Sequence, residues 1–292
     1  DQEEVVNPVG ITGDLMKSFK HQDIPGIDEI FFPRRSRKAY KVVSSSAFNW
    51  GKSQVMCETF GAMGEQISVT QIKQELFEQF AKGINVIVPH AIWLDDRPES
   101  IRFPPELSHR SSKFGPHLRE INLMTARLSA VLRHGCPVAD IAVVYPIHGL
   151  QASYAMDSYE AYMGGPVQNS DDYLDVGEIL FSRMNRDFQF LHPDVIDECC
   201  EPAPGGLRFQ NGDMSALFRV VVVPGASTIS VSNLLVLQAY YEQGGALIAT
   251  SQLPYQSAES GENERVLSVI QSMFGVDDPK NHNAASVNRN QA

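Results

Sequence analysis

The sequence predicts an α/β fold in two parts: an incomplete run of strand–helix units of the (β/α)8 (TIM) barrel kind, then an open parallel sheet of the flavodoxin-like kind. Three observations carry this. Short apolar runs alternate with segments of helical periodicity along most of the chain. Runs such as Asn85-Val86-Ile87-Val88 and Val220-Val221-Val222-Val223 are apolar without alternation, as strands covered on both faces are. In the first half, polar residues stand where these runs end, and Glu58 closes the run Gln54-Val55-Met56-Cys57. The C-terminal tip of a strand is where barrel enzymes place catalytic groups.

In the first half, Glu29 to Phe32 reads as a strand and Lys38 to Trp50 as a helix ended by Gly51. Gln54 to Cys57 is the next strand. Ser68 and Gln71 form a capping box that opens a helix with Val69, Ile72, Leu76 and Phe80 on one face. Asn85 to Val88 follows as a strand buried on both faces. Beyond a Pro-rich loop, a long helix turns Ile121, Met124, Leu128, Val131 and Leu132 inward and stops at Gly135. Three or four strands cannot close an eight-stranded barrel, so residues 1–135 are expected to be the C-terminal portion of a longer one.

Residues 136–276 start a second domain. Asp140 to Tyr145, Phe188 to Leu191, Arg219 to Val223 and Ala246 to Thr250 read as strands. Between them lie a helix opened by Asp171 and Asp172 and carrying Tyr173, Val176, Ile179, Leu180 and Met184 inward, and another capped by Ser230. This order predicts an open, flavodoxin-like sheet. Residues 277–292 lose periodicity and read as a tail or linker.

Composition narrows the function classes. The 24 Lys and Arg are outnumbered by 35 Asp and Glu, for a net charge of −11. The densest basic stretch, Arg34-Arg35-Ser36-Arg37-Lys38, is too short to track phosphates, so no nucleic-acid partner is expected. No apolar run reaches the roughly 20 residues of a membrane span, and residues 1–10 do not read as a signal peptide. Cys57, Cys136, Cys199 and Cys200 fit no zinc spacing.

Several residues could carry chemistry. Glu58 reads as a site carboxylate, as a loop cap, or as the partner of an arginine. His90 closes a strand as Pro89-His90, where a neutral imidazole can bond a sugar hydroxyl or a backbone carbonyl. In the loop after it, Trp93 offers an apolar face to a sugar ring, and Asp95 and Asp96 offer carboxylates to hydroxyls. The same pair suits a hard cation such as calcium, although two adjacent acids are no ligand pattern. Asp14 could reach substrate or cap the helix from Leu15. Asp28 reads as preceding a strand, at the wrong end for the site. Trp50 reads as core. In the second domain no cysteine follows the strand ending at Thr250, and no Gly-rich phosphate loop follows Tyr145, so that domain reads as structural.

Four segments together carry a family resemblance: Gly10 to Asp28, Ser44 to Lys52, Cys57-Glu58-Thr59-Phe60 and Lys82 to His90. They resemble the later barrel strands of bacterial glycoside hydrolases, above all the family 106 α-L-rhamnosidases and the barrel group that includes the family 42 β-galactosidases. In these proteins a domain related to class I glutamine amidotransferases follows the barrel, and Phe218 to Ala226 with Leu234 to Gly245 is similar to its strand, Pro-Gly, helix, Gly-Gly unit. The resemblance covers nearly the whole chain. It implies an exo-acting hydrolase of plant-type oligo- or polysaccharide, rhamnosidase-like, with Glu58 as one catalytic carboxyl at the seventh strand. The second carboxyl would lie on a fourth strand outside this chain. On the residue readings above, His90, Trp93, Asp95 and Asp14 are the expected substrate contacts, no cofactor is expected, and the second domain could carry a homo-oligomer contact; the resemblance itself implies a periplasmic or secreted location. The competing readings are a non-catalytic carbohydrate-binding or scaffolding protein, and a binder of a small ligand at the switch point of the second sheet.

Overall fold

A computed structural model describes residues 7–30, 36–95, 97–101, 103–156, 167–168, 170–281 and 286–288. The fold is α/β: a partial barrel sheet followed by a flavodoxin-like open sheet. Strands β1 (Gly26–Ile30), β2 (Met56–Gly61) and β3 (Val86–Pro89) run parallel in that order. Helices α1 (Tyr40–Asn49), α2 (Val69–Ala81) and α3 (Gly115–Leu132) connect and flank them. The Ser68–Gln71 capping box forms in both directions, with distances of 3.1 and 2.8 Å. Ile72, Leu76 and Phe80 are buried as their spacing predicts.

In the second part, β4 (Ile141–Val144) is followed by α4 (Ile147–Ser153) and α5 (Tyr173–Glu178), then by β5 (Gln189–Leu191) and α6 (Pro193–Cys199). An antiparallel meander comes next, β6 (Cys200–Ala203), β7 (Gly206–Asn211) and β8 (Met214–Phe218). The chain continues with β9 (Val220–Val223), α7 (Val231–Glu242), β10 (Ala246–Ala249), α8 (Asn263–Phe274) and β11 (Ser286–Asn288). The main sheet has the order β11-β10-β9-β4-β5, with only β11 antiparallel. Chain order reverses at β4, as in doubly wound folds.

Helix α1 joins the two parts. All ten of its residues are buried. Tyr40, Val43 and Ala47 pack with Ile27 and Cys57 of the barrel sheet and with Phe188 and Phe190, whereas Phe48 belongs to the core around β7, β9 and α7. β5 is a sheet edge, and α1 satisfies its backbone with side chains. Ser45 Oγ accepts from Phe190 N (2.9 Å), Asn49 Nδ2 donates to Phe190 O (2.7 Å), and Asn49 Oδ1 accepts from His192 N (2.8 Å). An edge strand buried without such partners would leave costly unpaired groups.

Buried charge also crosses between the parts. Lys82, 1% exposed, lies 3.0 Å from both Glu78 and Glu178 and donates to Arg37 O. Burial by itself would raise the Glu178 carboxyl, but Ser182, Lys82 and Arg37 together hold it below the usual glutamate range. Lys41 is likewise buried and lies 2.8 Å from Asp187.

Several expectations are corrected. β1 begins at Gly26, so Asp28 lies inside the strand; residues 31–35 are outside the described set. Glu58 is the third residue of β2, because the strand continues to Gly61. β3 is not buried on both faces: Val88 is 39% exposed, and among the described residues no element covers that side of the strand. Val131 and Leu132 at the end of α3 are exposed, because only Ile121, Met124 and Leu128 reach the cluster beneath α2. Past Glu178 the helix widens into a π-turn (Ile179–Arg183) that leaves Ile179 and Met184 exposed. Asp172 does not cap its helix. It accepts instead from Gly225 N (2.8 Å), Thr250 Oγ1 (3.0 Å) and Ser251 Oγ, tying together the carboxyl ends of β9 and β10. Part of the expected tail forms β11.

Two outcomes follow. Asn49→Ala removes the partners of Phe190 O and His192 N and should destabilise the chain by about 3 kcal/mol, read as a lower urea midpoint. The Glu178 contribution is fully present above its unfolded-state pKa of about 4.3 and is lost as pH falls through its lower folded-state value. Unfolding followed from pH 6 to pH 3 should therefore show a stability loss that is smaller in Glu178→Gln.

Candidate active site

Alternation along the strands assigns the faces of the barrel sheet. Ile27 and Cys57 pack on α1. Glu29 and Glu75 bind the Tyr40 hydroxyl, and Gln79 Nε2 donates to Thr59 Oγ1 (2.8 Å). These residues face the helices, so Asp28 and Glu58 face the opposite, open side. They are partners in the β1–β2 register, with Val88 next in the same row. Both acids are half-buried.

A bulge shapes the row above. Glu29 pairs with Thr59 but Ile30 pairs with Gly61, leaving Phe60 as an extra residue with φ 81°. Phe60 is thereby buried with Met63, Leu76 and Phe114 on the helix side, while Gly61 meets Ile30 and His90. A Cβ at Gly61 would lie 2.9 Å from Ile30 Cγ2 and 3.4 Å from His90 Cγ, so the close approach needs glycine. His90 N donates to Thr59 O (2.8 Å), which continues the β2–β3 pairing by one residue. Its ring stands edge-on to Trp93 at 5.5 Å and to Phe103 at 6.5 Å. His90 Nδ1 is buried and has no hydrogen-bond partner among the described residues.

The loop after β3 is braced from within. Arg110 holds Glu106 at 3.0 Å and donates to Trp93 O, fixing the backbone at the aromatic wall. Leu107 N donates to Ala91 O (2.9 Å), and Gly64 N donates to Pro104 O (3.0 Å), which ties this loop to the one after β2. Asp95 accepts from Arg97 Nε (2.9 Å to each oxygen) and from Ser100 Oγ (2.8 Å). The Arg97 guanidinium holds its carboxyl well below the usual range. Asp95 is thus engaged inside its own loop; Asp96 lies outside the described residues.

The structure brings Glu58, His90 and Trp93 to one end and one side of the sheet. It adds Asp28, Phe103 and Arg110, which sequence reasoning did not select. Asp14 is placed elsewhere. Its Oδ1 accepts from Lys17 N (3.0 Å) at the start of the helix Leu15–Ser18, and its Oδ2 meets His192 Nε2 at 2.8 Å, past the end of β5. Trp50 donates to Met16 O (2.7 Å) and stacks near His192 at 5.5 Å, a packing role. Among the described residues no group of three His, Cys, Asp or Glu could hold a metal ion, and no helix is long and apolar enough to cross a membrane. At the switch point of the second sheet, the space between the ends of β4 and β9 measures about 10 Å³, room for one water.

No family model and no curated protein matches this sequence. Solved structures do match its fold. A rhamnosidase from Novosphingobium sp. PP1Y superposes with a TM-score of 0.62 at 17% identity, over 89% of this chain and 24% of its own length. A β-galactosidase from Bacillus circulans sp. alkalophilus gives 0.61 at 11%, over 90% and 37%. A β-galactosidase from Rahnella sp. R3 gives 0.58 at 12%, over 84% and 35%. The chain therefore spans about a quarter to a third of the length of these proteins and shares the fold found in that part of them.

Gly61→Val should push the His90 ring off its seat while leaving the circular dichroism spectrum in place. Overpacking of this kind costs about 1–3 kcal/mol, and the shift is measurable in the imidazole resonances of His90.

Proposed function

We propose that this chain provides the later strands and one wall of the active site of an exo-acting glycoside hydrolase. Glu58 is one of its two catalytic carboxyls. The observation that carries the reading is the placement of Glu58 on the open face of a parallel sheet, at the end where His90 and Trp93 form an aromatic wall. Glycoside hydrolysis needs one carboxyl to protonate the leaving oxygen and another to attack or to activate water. Asp28 is the register partner of Glu58 on the neighbouring strand and projects from the same face, and the reading takes the second carboxyl from a strand outside these three. The polar tip of His90 receives a sugar hydroxyl, and the Trp93 face receives the C–H surface of the ring. The similarity to a rhamnosidase and to β-galactosidases supports a sugar substrate, and the order of motifs along the chain favours an α-L-rhamnoside.

Glu58→Gln, made in the protein that contains this chain, should lower turnover of aryl glycosides by about 10²–10⁴-fold, the range for losing an acid–base group. Unchanged turnover in a folded variant removes Glu58 from the mechanism. Comparing aryl α-L-rhamnoside with aryl β-D-galactoside identifies the sugar.

A further inference from the structure

We propose that the cleft between the two sheets, at the N-terminal ends of their strands, binds a small hydroxylated carboxylate of sugar-acid size. The cleft has a volume of about 220 Å³ and is lined from both parts of the chain. Ser53, Val55 and Asn85 border it just before β2 and β3, and Gln189 does so at the first position of β5. It therefore lies at the end opposite Glu58 and His90, and this binding is independent of the glycosidase reading.

Three features define the ligand. The first is Gln189, which is 1% exposed and whose Oε1 has no hydrogen-bond partner among the described residues. A buried carbonyl oxygen without a donor costs about 1–3 kcal/mol, and a turn of the Gln189 side chain toward the cleft it borders would present this oxygen to a ligand hydroxyl. The second is charge. Lys41 and Lys52 line the cleft against a single carboxylate, Asp187, in a chain whose net charge is −11. Lys41 is already matched by Asp187 at 2.8 Å, whereas Lys52 forms no ion pair with a described residue. The other titratable groups on the wall are His134 and Cys136. The uncompensated ammonium selects an anion, and one planar carboxylate suffices for one ammonium. The third is shape. The volume lies below the roughly 300–1,000 Å³ of pockets for drug-sized ligands, and Leu132, 43% exposed on the wall, offers apolar surface to the C–H face of a single ring.

Because the cleft is walled by both parts, an occupant bridges them and stabilises the folded chain by linkage. The probe is D-glucuronate, with D-glucose as its neutral match in size, in isothermal titration calorimetry and thermal unfolding. Glucuronate should bind with a dissociation constant of about 1 mM or tighter, raise the melting temperature, and weaken with added salt. Glucose should bind at least about tenfold more weakly, the equivalent of one charge-assisted hydrogen bond. Lys52→Met should weaken glucuronate by about tenfold and leave glucose unchanged, and Gln189→Leu should weaken both by about fivefold. Lys52 is half-buried and outside helix and strand, so its variant decides the matter if Gln189→Leu does not fold. Glu58→Gln should leave glucuronate binding unchanged. No binding at about 10 mM, equal binding of the two sugars, or unchanged binding in Lys52→Met overturns the proposal.

Discussion

Helix α1 substitutes for a strand, and most of the architecture depends on that substitution. β5 ends its sheet, and its outward backbone groups need partners because the barrel part covers them. Ser45 and Asn49, one helical turn apart on α1, supply those partners to Phe190 and His192. The same helix packs its other side on Ile27 and Cys57. Its position therefore sets the distance between the two sheets. The cleft at their N-terminal ends exists because α1 holds them apart there. Lys41 and Lys82 are buried for the same reason, and each is matched by an acid from the second part, Asp187 and Glu178. Removing either acid would leave a buried cation without its partner across the junction, which is far costlier than losing a surface pair.

A second local device acts on the candidate active site. The extra residue at Phe60 lets one strand serve two demands. Thr59 and Phe60 both turn toward the helices, and Gly61 returns to the open face under His90. Without the bulge, Phe60 would alternate onto the open face, where His90 now stands. The Arg110–Glu106 pair and the bond from Arg110 to Trp93 O then brace the wall from behind. Side chains that line a site are best held by neighbours with fixed rotamers, and here the bracing comes from a loop that has little regular structure of its own.

Some of this was legible in residues alone. The Ser68–Gln71 box and the Ser230 cap form as read, because capping depends on residues three positions apart. Ile72, Leu76 and Phe80 are buried as their periodicity requires. The meander β6–β8 does not stand out in the sequence, although Asn211-Gly212 is a strong hairpin signal. Its short strands read as loop between two stronger apolar runs. Asp28 lies inside β1 and not ahead of it, because the strand starts at Gly26 and not at the apolar run Ile30-Phe31-Phe32 that marks it most strongly in the sequence. Asp14 suits a substrate contact by its sequence position, but its oxygens meet Lys17 N and His192, and nothing in the neighbouring sequence announces His192.

The amino-acid sequence by itself determined the kind and order of the main elements, the ends of several helices, and the presence of an acid closing one apolar run and a histidine closing the next. These follow from spacings of two to four residues, over which backbone geometry alone places side chains on a common face. Tertiary structure decided which face Glu58 shares and with whom, where Asp14 goes, and what α1 does for β5. Those outcomes depend on contacts between residues far apart in the chain, such as Asn49 with Phe190 and Lys82 with Glu178. No local pattern encodes them, because each partner's backbone is satisfied only once the two sheets have met.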